Sequence, residues 1–518
     1  MSAHSNTAAP ATAARTASRA ARIALAVLVA VYFLNWVDRH ILSILAERIR
    51  ADLGIADADL GFLYGTAFAV FYAVCGIPLA RLADATDRRR LMAVCLLLWS
   101  AATCASAFAG SFAGLAGARV LVGIGEAGAA PAAYSLLADW FPRAQRATAL
   151  AIYNAGIYLG IGAATLAGGL VVARWDEGFA HGAPLGLHGW QAAFLLVGLP
   201  GLLLAAAVLA LREPPRGAQD GAIASAPRVG SAFLGDVLGM LPPVLLLQLV
   251  ASRAARAAAL NAAAAAALAA GAWALTLAFG NPAQWIGLAL GLYAFCCWGQ
   301  RLADRDPPAF AQLFRTPALT WTSLGFAFHS LRGYGLLFWM APFFVRVHGE
   351  GEATVGARLG LLNGLGGAAG VVLGGWLADR WRARHPCGRL YFSMAVAILP
   401  VAIAVPMLLT TDTALAYALY APFSLVVAMW MGAGGATVTD LVPPRLRATA
   451  TAGYLFLITM IGLGLGPFLI GRLSEAFGSL RPALLCALGA EALAVLCLLR
   501  AAHTLERDEA RARADTAH

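Results

Sequence analysis

DWFPRAQRATA, residues 139–149, and DLVPPRLRATA, residues 440–450, are two copies of one segment that lie 301 positions apart. Both copies open on Asp and close on Arg-Ala-Thr-Ala, and each joins the fourth apolar stretch of a group of six to the fifth. Leu-Ala-Asp also recurs at 82–84 and 377–379, each time before a basic segment. Repetition of this kind indicates a duplicated architecture. We therefore predict two pseudo-symmetric six-helix bundles with the same orientation.

The chain is too apolar for a protein surrounded by water. Sixty per cent of the 518 residues are hydrophobic and 12% are charged, whereas soluble domains carry about 25% charged residues. A helix needs roughly 20 mostly apolar residues to cross a bilayer. We predict an all-α polytopic membrane protein with about 14 spans. They are 22–45, 60–82, 90–110, 113–137, 147–172, 190–211, 257–279, 283–300, 318–343, 356–379, 389–410, 414–438, 448–472 and 481–500.

Two groups of six predicted spans flank an extra pair at 257–300. Arginines near spans stay on the cytoplasmic side of a membrane, and Arg256 precedes this pair while Arg301 follows it. We therefore predict a two-helix insert that starts and ends in the cytoplasm. The apolar segment 233–250 contains a Pro-Pro pair, and we expect it to lie at the membrane interface.

The predicted domains follow from this arrangement. They are a disordered cytoplasmic tail (1–21), an N-terminal bundle (22–216), a cytoplasmic linker with the interfacial segment and the insert (217–317), a C-terminal bundle (318–500) and a second cytoplasmic tail (501–518). The first apolar segment has no obvious cleavage site, so we predict no signal peptide. Basic residues that are all Arg, with many alanines, suggest a GC-rich bacterial genome. We expect a monomer in the bacterial inner membrane with both termini in the cytoplasm.

Composition also excludes several classes of protein. All 37 basic residues are Arg, so no lysine can form a Schiff base or a phosphate loop. Orientation by the loop arginines accounts for the net charge of +10, so we predict no nucleic-acid partner. Seven of the eight cysteines lie in apolar stretches without disulfide or zinc spacing. No Ser/His/Asp or HExxH arrangement lies on the spans. We therefore expect no cofactor, no metal and no enzymatic reaction.

Eight short segments stand out beside the repeat. They are Asn35–Arg39, Arg119 with Gly123–Gly128, Ala138–Pro142, Arg212–Gly217, His348-Gly349, Gly374–Asp379, Leu441–Arg445 and Gly462–Pro467. Each is weak alone, but together and in this order they resemble the major facilitator superfamily, and more narrowly its Spinster-like branch. The resemblance covers about 22–216 and 318–500. It implies the major facilitator fold and secondary active transport by alternating access.

Two features depart from the family's pattern. The family usually carries glycines in the loop between the second and third spans, where this chain has Ala80 and Asp87. Asp84, Arg88 and Arg89 of the same loop are present. The insert at 257–300 is absent from the twelve-helix pattern, and the sequence assigns it no task.

Four of the charged residues within predicted spans lie on the first and fourth spans, where an ionised group is costly and therefore suggests a function. Asp38 and Arg39 lie on the first span, and Arg119 lies at equal depth on the fourth. Glu126 follows Arg119 by seven residues and shares its helix face. We predict that Asp38 and Glu126 exchange protons while Arg39 or Arg119 balances them or holds a substrate anion. A permanent structural ion-pair cluster is the alternative. The resemblance likewise implies cation or proton coupling.

A second group of residues is predicted to face a central cavity. It comprises Tyr153, Asn154 and Tyr158 of the fifth span with His329, Arg332 and Tyr334 of the seventh. Each could instead make an interhelical contact. Glu491, midway along the last span, has no partner that the sequence indicates.

A third group is predicted to form a cytoplasmic gate. Asp84 and Asp379 each end the second span of a half, beside basic loops. Carboxylates there can pair with arginines or with a helix N-terminus of the other half. We expect such contacts to form when the carrier opens outward and to break when it opens inward. The predicted members are Asp84, Arg88, Arg89, Asp379, Arg146 and Arg447.

The sequence leaves two classes of substrate open. The Spinster-like resemblance suggests lysophospholipids, sphingoid compounds or drug-like molecules. Asn35–Arg39 and Gly123–Gly128 also resemble segments of anion/cation symporters, which favours small organic anions such as sugar acids. Pro214-Pro215 and Gly462–Pro467 favour the first class. The expected partners are a small-molecule or lipid-like substrate, protons and the lipid bilayer.

Overall fold

The computed structural model describes residues 18–179, 183–217, 219, 231–239 and 241–517. These residues form helices and connecting turns, with no β-strand among them. The predicted all-α class is therefore confirmed. Most of the predicted tail at 1–21 lies outside the described residues, and α1 begins at Arg19. The predicted tail at 501–518 continues the last helix as far as Ala517.

The first half of the chain forms six spans, of which the second and fourth are each built from two consecutive helices. The helices are α1 (Arg19–Leu53), α2 (Asp57–Tyr64), α3 (Thr66–Ala85), α4 (Arg88–Ser106), α5 (Phe112–Glu126), α6 (Ala129–Trp140), α7 (Arg143–Gly178) and α8 (Gly189–Ala210). The fourth span is interrupted directly after Glu126, where α5 ends.

The described residues in the middle of the chain form five helices. They are α9 (Ser231–Leu238), α10 (Val244–Ala251), α11 (Ala255–Phe279), α12 (Pro282–Arg305) and α13 (Pro307–Phe314). Eight-residue helices such as α9 and α10 are about 12 Å long, which is too short to cross a bilayer core of about 30 Å. Helices α11 and α12 form the predicted hairpin.

The second half repeats the six-span plan. Its helices are α14 (Pro317–His348), α15 (Glu352–Arg382), α16 (Gly388–Leu409), α17 (Thr413–Val426), α18 (Met431–Asp440), α19 (Arg447–Leu457), α20 (Gly464–Phe477), α21 (Leu480–Ala487) and α22 (Ala490–Ala517). A π-helical turn, Ile458–Leu463, joins α19 to α20. Helices α17 and α18 form the fourth span of this half, and the last span consists of α21 and α22.

A helix occupies each of the fourteen predicted spans. Among the described residues, eleven spans are long and apolar enough to cross a membrane by length and composition. Helices α4, α12 and α14 occupy the other three predicted spans, and they carry more polar residues. Length and composition alone therefore do not fix the number of spans.

The repeat seen in the sequence is also a repeat of contacts. Arg88 Nη1 lies 2.5 Å from Asp139 Oδ2 in the first half. Arg389 Nη1 lies 2.6 Å from Asp440 Oδ2 in the second, and both members of this pair are displaced by 301 positions from the first. The two six-helix bundles are therefore related by the duplication that the sequence predicts.

The two halves are joined by ion pairs at the end of the bundle where α1 ends, which we call the closed end. Arg346 of the second half binds Glu47 and Asp57 of the first, at 2.6 Å each. Arg48 Nε lies 2.9 Å from Glu352 Oε1 across the same boundary. At the opposite end, which carries the repeated segments, the described Arg88 and Arg389 clusters each stay within one half.

Helices α7 and α15 approach closely along the boundary between the halves. A Cβ atom on Gly162 would lie 2.6 Å from the carbonyl oxygen of Gly360, and a Cβ on Gly360 would lie 2.7 Å from that of Gly162. No side chain fits at such distances. Small residues permit this close packing of membrane helices, which holds the two halves together between the middle of the bundle and the closed end.

The insert packs asymmetrically against the two bundles. Helix α12 contacts both α3 of the first half and the second half, where Trp285 packs edge-to-face on Phe468 and Phe295 stacks on Phe456. Helix α11 packs on α12 and α10, and most of its surface is exposed. Only one helix of the hairpin is therefore integrated into the carrier.

Candidate functional site

Two buried ion pairs link α1 to α5 within the first half. Arg39 donates to Glu126 Oε2 through Nη2 at 2.7 Å and through Nε at 3.2 Å. Arg119 Nη1 lies 3.5 Å from Asp38 Oδ1. All four side chains are buried. The structure thus brings together the four predicted charge-relay residues, and the predicted contact between Asp38 and Arg119 is present.

The two pairs differ in how tightly they are made. The Arg119 contact with Asp38 is near the limit of a hydrogen bond, and Arg119 Nη2 has no hydrogen-bond partner among the described residues. Asp38 also accepts a short hydrogen bond from the hydroxyl of Thr103 on α4. Sequence reasoning missed Thr103, because a threonine within an apolar stretch gives no signal. Asp38 therefore has a neutral partner that can replace part of its contact with arginine.

Aromatic rings surround the guanidinium of Arg39. Its Cζ lies 4.7 Å from the ring centroid of Trp36, 4.5 Å from that of Phe68 and 4.9 Å from that of Tyr72. Such cation–π contacts attract a guanidinium to aromatic faces, and the attraction is stronger at a buried position. The positive charge of Arg39 is therefore held in place by Glu126 on one side and by π-faces on the others.

A cavity of about 190 Å³ lies between the two halves. Its walls are mainly aromatic and aliphatic, and the polar side chains in them are uncharged. The residues that line it include Trp36, Tyr158, Tyr334, Leu337, Trp430 and Ile458, with Ser330, Asn363 and Ser424 among the polar ones. None of the described residues that line it is charged.

Two of the six predicted cavity residues line this cavity. They are Tyr158, whose hydroxyl lies 2.9 Å from Met431 Sδ, and Tyr334. Tyr153 instead stacks on Tyr32 with the ring centroids 4.3 Å apart. Asn154 Oδ1 accepts a hydrogen bond of 2.8 Å from the hydroxyl of Tyr134. Both of these residues face neighbouring helices of the first half.

The remaining two predicted cavity residues, His329 and Arg332, belong to a buried cluster within the second half. Glu491 Oε1 accepts from Arg332 Nε at 2.5 Å, and Glu491 Oε2 lies 2.9 Å from His329 Nδ1. These contacts give Glu491 the partner that the sequence did not indicate. They also tie α14 to α22, so His329 and Arg332 are absent from the cavity lining.

The predicted gate residues lie at the end of the bundle opposite the closed end. Arg88 is completely buried between Asp139 and Glu213, with Nε 2.7 Å from Glu213 Oε1. Arg89 Nη1 donates to the carbonyl oxygen of Leu211 at 2.6 Å. These contacts hold the first half together, and Glu213 was not predicted to take part.

The equivalent residues of the second half behave in a related way. Asp379 binds Arg389, which sequence reasoning missed, at 2.8 Å. Arg146 and Arg447 each donate to a carbonyl oxygen eight residues earlier, in Ala138 and Thr439. Asp84 is exposed. Among the described residues the structure brings no gate residue of one half into contact with one of the other.

Asp87, a departure from the family pattern, has a local role outside the spans. It is the N-cap residue of α4, and its side chain accepts from the backbone N–H of Arg90 at 2.9 Å. Burial alone would raise the pKa of Asp87, but this hydrogen bond and the side chains of Arg89 and Arg90 outweigh burial and lower it. The carboxylate compensates the helix N-terminus and the charges of Arg89 and Arg90.

Two six-helix bundles that share an internal repeat, with a cavity between them and buried ion pairs beside it, define a polytopic membrane transporter. The chain belongs to the Major Facilitator Superfamily, whose sequence pattern matches residues 28–467. Members of this superfamily move small molecules across membranes and are not enzymes.

Similar proteins include an efflux pump and a hexuronate transporter. The chain is 29% identical over 462 residues to an MFS-type efflux pump of Mycolicibacterium smegmatis, which covers 89% of this chain and 86% of that protein. It is 31% identical over 186 residues to the hexuronate transporter of Escherichia coli K12, which covers 35% of this chain and 39% of that protein.

A solved structure extends the comparison to the whole fold. The structure is that of a bacterial homolog of the human lysosomal transporter Spinster, in an inward-facing and unoccupied conformation. It superposes with a TM-score of 0.71 at 25% sequence identity, and the match covers 95% of this chain and 99% of that one. The predicted resemblance to the Spinster-like branch is therefore confirmed.

Proposed function

We propose that this protein is a proton-coupled carrier of an amphiphilic or lipid-like small molecule, such as a lysophospholipid, a sphingoid compound or a drug. The observation that carries this proposal is the cavity between the halves, whose described lining residues are mostly apolar and all uncharged. Apolar pockets with a few polar groups bind ligands through buried surface and take their specificity from those polar groups. Tyr158, Tyr334 and Asn363 supply such groups here.

Proton coupling is supported by the buried carboxylates of the first half. A carboxylate without water is pushed toward its neutral form by desolvation and toward its charged form by a nearby arginine. Asp38 and Glu126 each face this balance, with Arg119 and Arg39 respectively. Small changes in hydration during the transport cycle can therefore change whether these groups carry a proton.

The cycle is alternating access between two conformations. The ion pairs of Arg346 and Arg48 seal the closed end, which we assign to the outside of the cell. The arginine-rich end that carries the repeat is then cytoplasmic, as are both termini. The residues Asp84, Arg88, Arg89, Asp379, Arg146 and Arg447 would meet across the two halves when the carrier opens outward. We place the carrier in the bacterial inner membrane as a monomer.

Sugar acids are the alternative class of substrate. The similarity to the hexuronate transporter of Escherichia coli K12 favours them, although it covers about a third of this chain. A carboxylate substrate needs a cationic partner, and the buried arginines Arg39, Arg119 and Arg332 are each already paired with an acidic side chain. This pairing favours the amphiphile.

A thermal-shift screen of the purified protein tests the substrate class. Melting temperatures are measured at two pH values for wild type, Glu126→Gln and a control, Glu177→Gln. The control changes an exposed carboxylate at the end of α7. The ligands are lysolipids, sphingoid bases, sugar acids and cationic drugs. We expect a lysolipid, sphingoid base or drug to stabilise the protein. This stabilisation should depend on pH in wild type and in the Glu177→Gln control, but not in Glu126→Gln. Stabilisation by sugar acids alone would establish the alternative.

A further inference from the structure

Helix α12 of the insert places a buried polar side chain between the two halves. Gln284 is fully buried, and its Oε1 lies 2.6 Å from the hydroxyl of Thr66 on α3. Its Nε2 donates to the carbonyl oxygen of Gly464 on α20 at 3.2 Å. The Thr66 hydroxyl also lies 2.5 Å from the same carbonyl. One residue of the insert thus contacts both bundles through hydrogen bonds closed off from water.

The neighbouring residues of α12 repeat this two-sided contact. Asn281, just before the helix, donates to Asp59 of the first half at 3.2 Å. A Cβ on Gly291 would lie 2.6 Å from Met460 Sδ of the second half and 3.7 Å from Val70 of the first. The helix therefore fits against both bundles and fills the boundary between α3 and α20.

This contact depends on which end of the carrier is closed. The carbonyl oxygen of Pro467 would lie 2.4 Å from a Cβ on Gly61, so α2 and α20 touch directly at the closed end. Opening that end must separate these helices. Gln284 cannot then keep both Thr66 and Gly464, because they belong to different halves. A buried amide that loses one partner is destabilised unless water or another group replaces it.

We propose that the α11–α12 insert is a seal and a clamp. It closes the boundary between α3 and α20 to lipid, and through Gln284 it stabilises the conformation in which the closed end is shut. This inference rests on the alternating-access cycle proposed above, and it assigns a task to the hairpin.

The clamp is tested by measuring distances across the closed end. Spin labels are attached at Ala56 and Ser479, exposed residues of the first and second halves, in a background free of native cysteines. Pulsed electron paramagnetic resonance on the protein in nanodiscs measures the populations with short and long label distances at two pH values. Gln284→Leu should raise the ratio of long to short distances roughly fivefold, as expected for one net hydrogen bond.

Asn261→Leu is the matched control. Asn261 is also buried in the insert, but it bonds to Tyr293 at 2.6 Å and to Gln300 at 2.8 Å, both within the hairpin. Its replacement should leave the distances unchanged. Gln284→Met removes the amide at similar volume and should act like Gln284→Leu, which provides a second variant if the first does not fold. Size-exclusion profiles and melting temperatures establish folding.

The outcomes separate the clamp from the proposed cycle. If wild type changes between the two distances while Gln284→Leu and Gln284→Met keep its ratio, the clamp is refuted and the cycle stands. An equal change in Asn261→Leu would also refute it, because the effect would then come from general loosening of the hairpin. A wild type with a single fixed distance under all conditions would overturn the cycle and the clamp together.

Discussion

Arg39 Nη2 lies 2.7 Å from Glu126 Oε2, and this pair is closed off from solvent at the point where α5 ends. The neighbouring pair, Arg119 with Asp38, is 0.8 Å longer, at 3.5 Å. The tighter pair fixes α1 against α5. In the looser pair Asp38 also accepts a hydrogen bond from the hydroxyl of Thr103. Protonation of Asp38 therefore disrupts the local contacts less than protonation of Glu126 would.

Glu126→Gln should remove the pH dependence of transport. Gln cannot take up a proton in the physiological range, so a step that requires protonation at this position can no longer respond to pH. Transport by proteoliposomes at a series of pH values measures this effect. A variant that keeps the wild-type pH profile would exclude Glu126 from coupling.

The same variant should melt at a lower temperature, because it leaves the charge of Arg39 buried without a counter-charge. Breaking one partner of a buried pair costs about 3–5 kcal/mol. Adding Arg39→Gln should recover part of this loss, since the double variant buries no net charge. A double variant that is less stable than both single variants would contradict the ion-pair interpretation.

Arg88→Ala should destabilise the protein more than Arg389→Ala, although the two residues are equivalent in the repeat. Each arginine binds two carboxylates, but the side chain of Arg88 is 0% exposed, whereas that of Arg389 is 19% exposed. We expect a loss of about 3 kcal/mol for the buried arginine and about 1 kcal/mol for the partly exposed one. Melting curves of the two variants in one detergent make the comparison, and equal losses would contradict it.

Gly367→Ala should weaken binding of bulky substrates. A Cβ at this position would lie 1.9 Å from Tyr158 Cδ1, so the ring must move within the cavity wall. Gly375→Ala on the same helix is the control, because no atom lies within 4 Å of its added Cβ. Titration of an amphiphilic ligand should show weaker binding for the first variant only. Unchanged binding in both would place the substrate elsewhere.

Asp87→Asn should lower stability at neutral pH and lose this effect in acid. The pKa of Asp87 is lowered in the folded protein, so its ionised form stabilises the fold above the unfolded pKa of about 3.9. That contribution disappears as the pH falls through the folded pKa. Asn preserves the N-cap hydrogen bond, so the difference, about 1 kcal/mol or less, isolates the charge. Melting curves from pH 7 to pH 3 should converge; a constant difference would contradict this assignment.

Glu491→Gln should reduce stability without changing the pH dependence of transport. Glu491 ties α14 to α22 through Arg332 and His329, away from the cavity lining. Removal of its charge leaves Arg332 without its acidic partner. Melting temperature and pH profile are measured on the same preparation as for Glu126→Gln. If Glu491→Gln abolished the pH dependence of transport, a proton-coupling site would have to lie in the second half.

The repeat allowed the fold to be predicted, because a duplicated segment defines both halves and their common orientation. It also makes two unpredicted contacts equivalent. Arg389 binds Asp440 in the second half as Arg88 binds Asp139 in the first. The charge cluster of the first half was predictable because the cost of burying Asp38 or Glu126 in a membrane singles each of them out.

The cavity lining was harder to predict for a physical reason. Lipid tails and neighbouring helices are equally apolar, so sequence does not reveal which face of a span packs against protein. Tyr153 and Tyr158 are five residues apart on one helix, yet the first packs on Tyr32 and the second lines the cavity. Glu491 lies 162 residues away from its partner His329 in the sequence, and only the packing of α14 on α22 brings them together.

The interrupted fourth span of each half has consequences for how the duplicated halves have diverged. Glu126 ends α5 in the first half, and Val427, 301 positions later, follows the last residue of α17 in the second. The first position holds a buried acid, while the second contributes to the cavity wall with Ala428 and Trp430. The same interruption of the fourth span thus carries a buried ion pair in one half and part of the cavity wall in the other. Mutations at matching positions should therefore produce unlike defects.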